Sequence, residues 1–280
     1  MIYITICLLL TSLMFVCAME TGDKRMMGWL CLEFCDNTTV TNIALNEISR
    51  HLDVITAVSF ERYQLGENAT LIRANVTDVV GTLQEMGVKE TWPMLSSMPH
   101  PPEFIDWMRD AFVNVDKFTA QCVEEALKYN YTGYNLDWEP TDGVLETDAA
   151  LYTQFIDDFA RGLHASGIKL QVCVANWGSP SIWDYAGIAT TSADYFITMG
   201  TYTSNDDSFS VQLDTAVGEF GLERLGIGLE MVNASTGGHI PMEEVHWRFE
   251  EILAAGVAEV DIWRFPVPAA WWPLIDDFMK

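Results

Sequence analysis

The residues best placed to do chemistry lie in YTGYNLDWEP, 131–140, where Asn135, Asp137 and Glu139 fall at every second position. On an extended strand, alternate side chains share one face. A carboxamide and two carboxyls then form a ladder along that face. Burying two carboxyls is costly unless something uses them. Neighbouring like charges raise the pKa of at least one partner, which leaves a proton to donate at mildly acid pH. The spacing therefore points to an acid–base site rather than to a packed strand face.

The elements around this ladder determine where it sits. Eight β-rich runs recur, at 28–34, 55–61, 89–95, 133–139, 169–176, 194–201, 224–231 and 258–265. Amphipathic patterns separate them, and Gly87, Gly167, Gly221 and Gly256 close four of those patterns, as helix C-termini favour. The runs lack clean polar alternation, which suits parallel strands covered on both faces. Strict β-then-α order eight times over is the pattern of a single-domain α/β protein with a (β/α)8 TIM barrel. A doubly wound open sheet is the competing architecture, but it needs a glycine-rich first turn that this chain lacks. In a barrel the C-terminal strand ends carry the chemistry. Glu139 falls at that end of the fourth barrel strand, with Leu136 and Trp138 facing the covering helices.

Composition limits the function. Asp and Glu number 40 against 15 Lys and Arg, a net charge of −25. Such a surface repels phosphate backbones and anionic membranes, so no nucleic-acid partner is expected. Met1 to Ala18 is apolar and ends in Val16-Cys17-Ala18. We read residues 1–18 as a signal peptide, with a signal-anchor as the competing reading, and 19–280 as the catalytic domain. Sequons at Asn37, Asn68, Asn75, Asn130 and Asn233 agree with a secretory route. A secreted or lysosomal/vacuolar location is expected, with no membrane attachment after signal cleavage. The mature chain keeps Cys31, Cys35, Cys122 and Cys173, which allow one or two disulfides in three pairings. Cys31 and Cys35 can bridge only if the chain turns between them. Cys122 and Cys173 read as buried thiols. No Cys/His spacing suggests a metal, and no histidine falls at an expected strand end, although His239 could reach the cleft.

Thr132-Gly-Tyr-Asn-Leu-Asp-Trp-Glu-Pro140 resembles the fourth-strand motif of the family 18 glycoside hydrolases, the chitinases and their relatives. Gly133, Asp137, Trp138, Glu139 and Pro140 match in register. Asn135 is an exchange that the pattern tolerates, and Thr132 departs from its first Asp. Residues 171–202 are similar to the di-N-acetylchitobiase branch. The resemblance implies a retaining, substrate-assisted hydrolysis of β-1,4 bonds in N-acetylglucosamine-containing oligosaccharides or glycans, without a cofactor. It makes Glu139 the acid and later the base, and it has Asp137 orient the 2-acetamido group. Asn135 would bond to and steer Asp137. Tyr202 would hold the acetamide carbonyl, and Trp263 would floor the sugar site. Trp177, Met199 and Phe60 are further candidate liners of the cleft.

Three departures qualify that resemblance. Met199-Gly-Thr-Tyr202-Thr203 has one residue more than the family's strand-six motif and lacks its Asp. TWPMLSSM lacks the strand-three glycines. The segment VNASTGGHI is too short for the chitinase insertion domain. A shallow cleft and a monomer are expected. The alternatives are an inactive chitinase-like lectin and an endo-β-N-acetylglucosaminidase acting on glycoproteins.

Overall fold

A computed structural model describes residues 24–203, 205–233 and 237–280. The signal-peptide expectation for 1–18 falls outside the described residues. In chain order the elements are β1 (Arg25–Leu30), α1 (Thr38–Arg50), β2 (Ala57–Gly66), β3 (Thr70–Arg73), α2 (Val80–Met86), β4 (Glu90–Ser96), α3 (Phe104–Val113), α4 (Val115–Tyr129) and β5 (Gly133–Asp137). They continue with α5 (Asp148–His164), β6 (Lys169–Val174), α6 (Tyr185–Ala189), β7 (Tyr195–Thr198), α7 (Asp206–Phe220), β8 (Leu225–Glu230), α8 (Met242–Ala255), β9 (Glu259–Phe265) and α9 (Trp272–Phe278).

Strands β1, β2 and β4 to β9 pair in parallel, and β1 pairs with both β2 and β9. The sheet therefore closes into an eight-stranded (β/α)8 barrel. The near-continuous burial of its strands is what two covered faces require; in β4, for instance, all but Glu90 are buried. Outward-facing Leu136 and Trp138 are fully buried. The Trp138 indole packs on Phe118 of α4 and Phe155 of α5, with centroids 5.6 and 5.0 Å away. At the N-terminal end of the barrel Arg25 bridges Glu90 at 2.8 Å and Glu259 at 3.0 Å. These ion pairs fasten three strands together at the face opposite the chemistry.

Several boundaries differ from the sequence expectation. The first strand ends at Leu30 and the chain turns over the next residues, which brings Cys31 and Cys35 to a Cα separation of 5.5 Å in a disulfide. Cys122 and Cys173 are free and buried. β2 runs on to Gly66 and folds back as β3 in an antiparallel hairpin outside the barrel. Asn68 and Ala69 make its turn with positive φ. The long helical stretch after β4 is two helices, broken at Asn114, whose φ of −122° leaves the helical region. Only residues 231–241 separate β8 from α8, so no insertion domain stands there. Among the described residues no helix is long and apolar enough to cross a membrane.

Candidate active site

A cavity of about 220 Å³ opens at the C-terminal strand ends, and Asp137 and Glu139 both line it. Asp137 closes β5 and Glu139 stands two residues beyond, so the pleat aims both carboxyls into the barrel mouth. Burial raises the Glu139 pKa to about 7. Asp137 is pushed well above the carboxylate range, first by burial, then by repulsion from Glu139 and Glu61, while the Cys173 thiol works against the rise. Its Oδ1 is buried and has no hydrogen-bond partner. The pair thus retains a proton at neutral pH, with one oxygen open to a donor that the protein does not supply.

Asn135 lies a layer deeper and is fully buried. Its Nδ2 donates to Gln171 Oε1 at 3.2 Å and Cys173 Sγ at 3.3 Å. Its Oδ1 accepts from Trp29 Nε1 at 3.0 Å and Ser59 Oγ at 3.3 Å. These bonds use all four places that an amide offers, so the expected bond to Asp137 is replaced. What Asn135 fixes is Trp29, whose ring meets Trp263 edge to face at 6.2 Å. Trp263 in turn lines the cavity.

The extra residue before Tyr202 is accommodated by a turn. β7 keeps regular register with both neighbours through Thr198. The Tyr202 amide then donates to the Met199 carbonyl at 2.9 Å. Thr201 Oγ1 donates to the Gly228 carbonyl at 2.6 Å and anchors the turn. Tyr202 reaches the cavity, as do Met199 and Trp177. Burial, with Cys173 and Asp137 nearby, drives the Tyr202 pKa far up, so the phenol remains a proton donor. Gly228 makes room for its ring, since a Cβ there would lie 3.0 Å from Tyr202 Cε1 and 2.5 Å from the Thr198 carbonyl oxygen.

Phe60 is a correction. It is fully buried, meets Tyr131 at 6.3 Å and is not among the cavity-lining residues. Alternation on β2 turns Phe60 away and presents its neighbours Ser59 and Glu61 to the interior. Glu61 lines the cavity, and its carboxylate accepts the backbone N–H groups of Leu32, Glu33 and Phe34. Burial raises its pKa while these three bonds oppose the rise. His100, in the loop after β4, lines the mouth, whereas His239 does not. Alternation places Glu61 inward, but nothing local gives its bonding partners, which lie 27 to 29 residues away in sequence.

No family model matches the sequence, and no curated protein sequence matches it either. Solved structures do match. A chitinase from Chromobacterium violaceum superposes with a TM-score of 0.73 at 14% identity, over 92% of this chain and 99% of that one. The spore cortex-lytic enzyme SleL of Bacillus megaterium gives 0.73 at 14% identity, over 92% of this chain and 74% of that one. The chain has the fold of these enzymes. A family 18 N-acetylglucosaminidase from Paenibacillus barengoltzii gives 0.67 at 11% identity, over 91% of this chain and 99% of that one. None of these three singles out the di-N-acetylchitobiase branch.

Proposed function

We propose that the protein is a family 18-type glycoside hydrolase that cleaves β-1,4 bonds in N-acetylglucosamine-containing oligosaccharides. The observation carrying this reading is the carboxyl pair at the mouth of the barrel, with Glu139 near pKa 7 and the Asp137 Oδ1 unpartnered. Most glycosidases flank the bond with two carboxylates, whereas substrate-assisted ones borrow a nucleophile from the sugar. The acetamide carbonyl oxygen attacks the anomeric carbon while Glu139 protonates the departing glycosidic oxygen. Asp137 accepts the acetamide N–H and steadies the charge of the oxazolinium ion. Glu139, now ionised, takes a proton from water, which opens the ring with net retention. Tyr202 donates to the acetamide carbonyl and Trp263 carries the apolar face of the sugar.

A secretory setting fits this chemistry. The Cys31–Cys35 disulfide belongs to an oxidising compartment. Asn37, Asn68, Asn75 and Asn130 are all exposed, as glycan acceptors must be. Hydrolysis of fluorogenic chitobioside and chitotrioside by the mature chain, beside a Glu139→Gln variant, tests the reading. We expect turnover by the parent and a loss of at least about 100-fold in the variant. Binding of chitooligosaccharide without turnover by either protein places the chain with the lectins instead.

A further inference from the structure

The amide of Asn135 is spent on Trp29, Ser59, Gln171 and Cys173, so it does not steer Asp137 directly. One of those four partners leads back to the carboxyl. Strands β5 and β6 pair in parallel, with Asn135 opposite Gln171 and Leu136 opposite Val172. One step further along both strands sets Asp137 beside Cys173. Paired strands lie roughly 4.7–4.9 Å apart, close enough for a carboxyl and a thiol on one face to meet. Both side chains line the same cavity.

The Cys173 thiol is free and buried, and burial drives its pKa far up, so it keeps its hydrogen. Its sulfur accepts from Asn135 Nδ2 at 3.3 Å, which leaves the S–H to be placed. Asn135 Oδ1 lies 3.7 Å from the sulfur and already accepts from Trp29 and Ser59. An oxygen with both lone pairs in use is a poor target for a weak donor. Asp137 has the capacity, and its pKa registers the neighbour: the thiol lowers it against burial and the repulsion of Glu139 and Glu61. Tyr152 of α5 and Tyr202 after β7 also bear on this region, but both phenols are pushed far up and bring no charge.

Building on the proposed hydrolase reading, we propose that Cys173 is a positioning residue for Asp137. Asn135 orients the sulfur, and the thiol hydrogen goes to Asp137 Oδ2, which leaves the unpartnered Oδ1 turned toward the acetamide N–H. The donors then run in one direction, from Trp29 to Asn135 to Cys173 to Asp137. In such a chain each bond polarises the next. A donor at its end favours the ionised form of Asp137, the form that accepts an N–H.

Carboxyl NMR titration of isotope-labelled aspartate, with Asp137→Asn identifying the signal, reads the Asp137 pKa without any need for turnover. In Cys173→Val, which fills the space but cannot donate, that pKa should rise by about one pH unit. Cys173→Ala repeats the deletion without added bulk. Cys173→Ser, which both accepts and donates, should return the value toward that of the parent. The acid limb of the kcat/KM profile should move up in the valine and alanine variants and back in the serine variant. A thiol that merely fills space predicts the reverse, with valine harmless and serine harmful. An Asp137 pKa unmoved in valine and alanine, or moved equally in serine, overturns the proposal. The two readings fail separately. The expected pKa pattern with no turnover by the parent protein sinks the hydrolase and keeps the role of Cys173. Turnover with an unmoved Asp137 sinks that role and keeps the hydrolase.

Discussion

At the scale of single residues, what sets Glu139 apart is its proton. Burial lifts its pKa from the usual 4.5 to about 7, and an acid of that strength is still protonated at mildly acid pH. Turnover should therefore fall as pH rises through about 7, because the acid arrives already ionised. A kcat/KM profile from pH 4 to 9 checks this, and a rate that keeps climbing to pH 9 assigns the proton to another group. Asp137 offers its open oxygen, and its own pKa is raised by burial and then by repulsion from Glu139 and Glu61. The alternation of Asn135, Asp137 and Glu139 made this site legible in the sequence, because period two fixes a face without any knowledge of the fold. The same rule applied to β2 makes Glu61 the inward neighbour of Phe60. What sequence could not supply was the reason for Glu61, whose three partners sit on the loop after another strand. The role of Asn135 was hidden likewise, since its amide reaches Trp29 on β1, 106 residues away.

At the scale of elements, a turn and a glycine bring Tyr202 to the cavity. Gly228 of β8 leaves the space that the Tyr202 ring fills, and the nearest obstacle to a methyl there is the Thr198 carbonyl oxygen at 2.5 Å. Backbone cannot yield as a side chain can, so Gly228→Ala should displace the turn and cost about 1–3 kcal/mol of stability. It should also lower kcat/KM by about tenfold or more if Tyr202 holds the reacting sugar. Gly218 is the control, as it lies within α7 with open space around its Cα. Gly218→Ala should raise stability by about 0.5–1 kcal/mol without touching turnover. Thermal melts and kinetics on both variants decide the matter, and an unimpaired Gly228→Ala enzyme removes Tyr202 from the mechanism. The eight barrel strands were legible because buried parallel strands read as short apolar runs between amphipathic helices. The β2–β3 hairpin was not, since Thr70–Arg73 is mostly exposed and carries no buried pattern. The helix break at Asn114 was also missed, because apolar spacing continues across it from Val113 to Val115.

At the scale of the whole molecule, burial and ion pairing together set how stability responds to pH. At the mouth, Asp137, Glu61 and Glu33 have raised pKa values alongside Glu139, chiefly through burial. At the opposite end burial raises Glu259 too, against its pairing with Arg25, whereas Glu90 is held down, its pairing with Arg25 outweighing the burial that acts against it. A carboxyl raised on folding binds its proton more tightly in the native state. Its contribution to stability is complete below the unfolded pKa and is lost as pH rises through the folded one. For Glu139 that window runs from 4.5 to about 7, and a shift of this size corresponds to about 3 kcal/mol. Glu90, lowered on folding, stabilises above its unfolded pKa and loses that contribution as pH falls through the folded value. Self-repulsion from a net charge of −25 adds to the loss at higher pH. The melting temperature should consequently peak near pH 5 and decline toward pH 8. Glu139→Gln should flatten the decline, because glutamine has no proton to lose. Calorimetric melts of parent and variant at pH 4, 5, 6, 7 and 8 measure the difference directly. Parallel curves would show that Glu139 titrates alike in the folded and unfolded chain, and the acid assigned to the mouth of the barrel would then lose its physical basis.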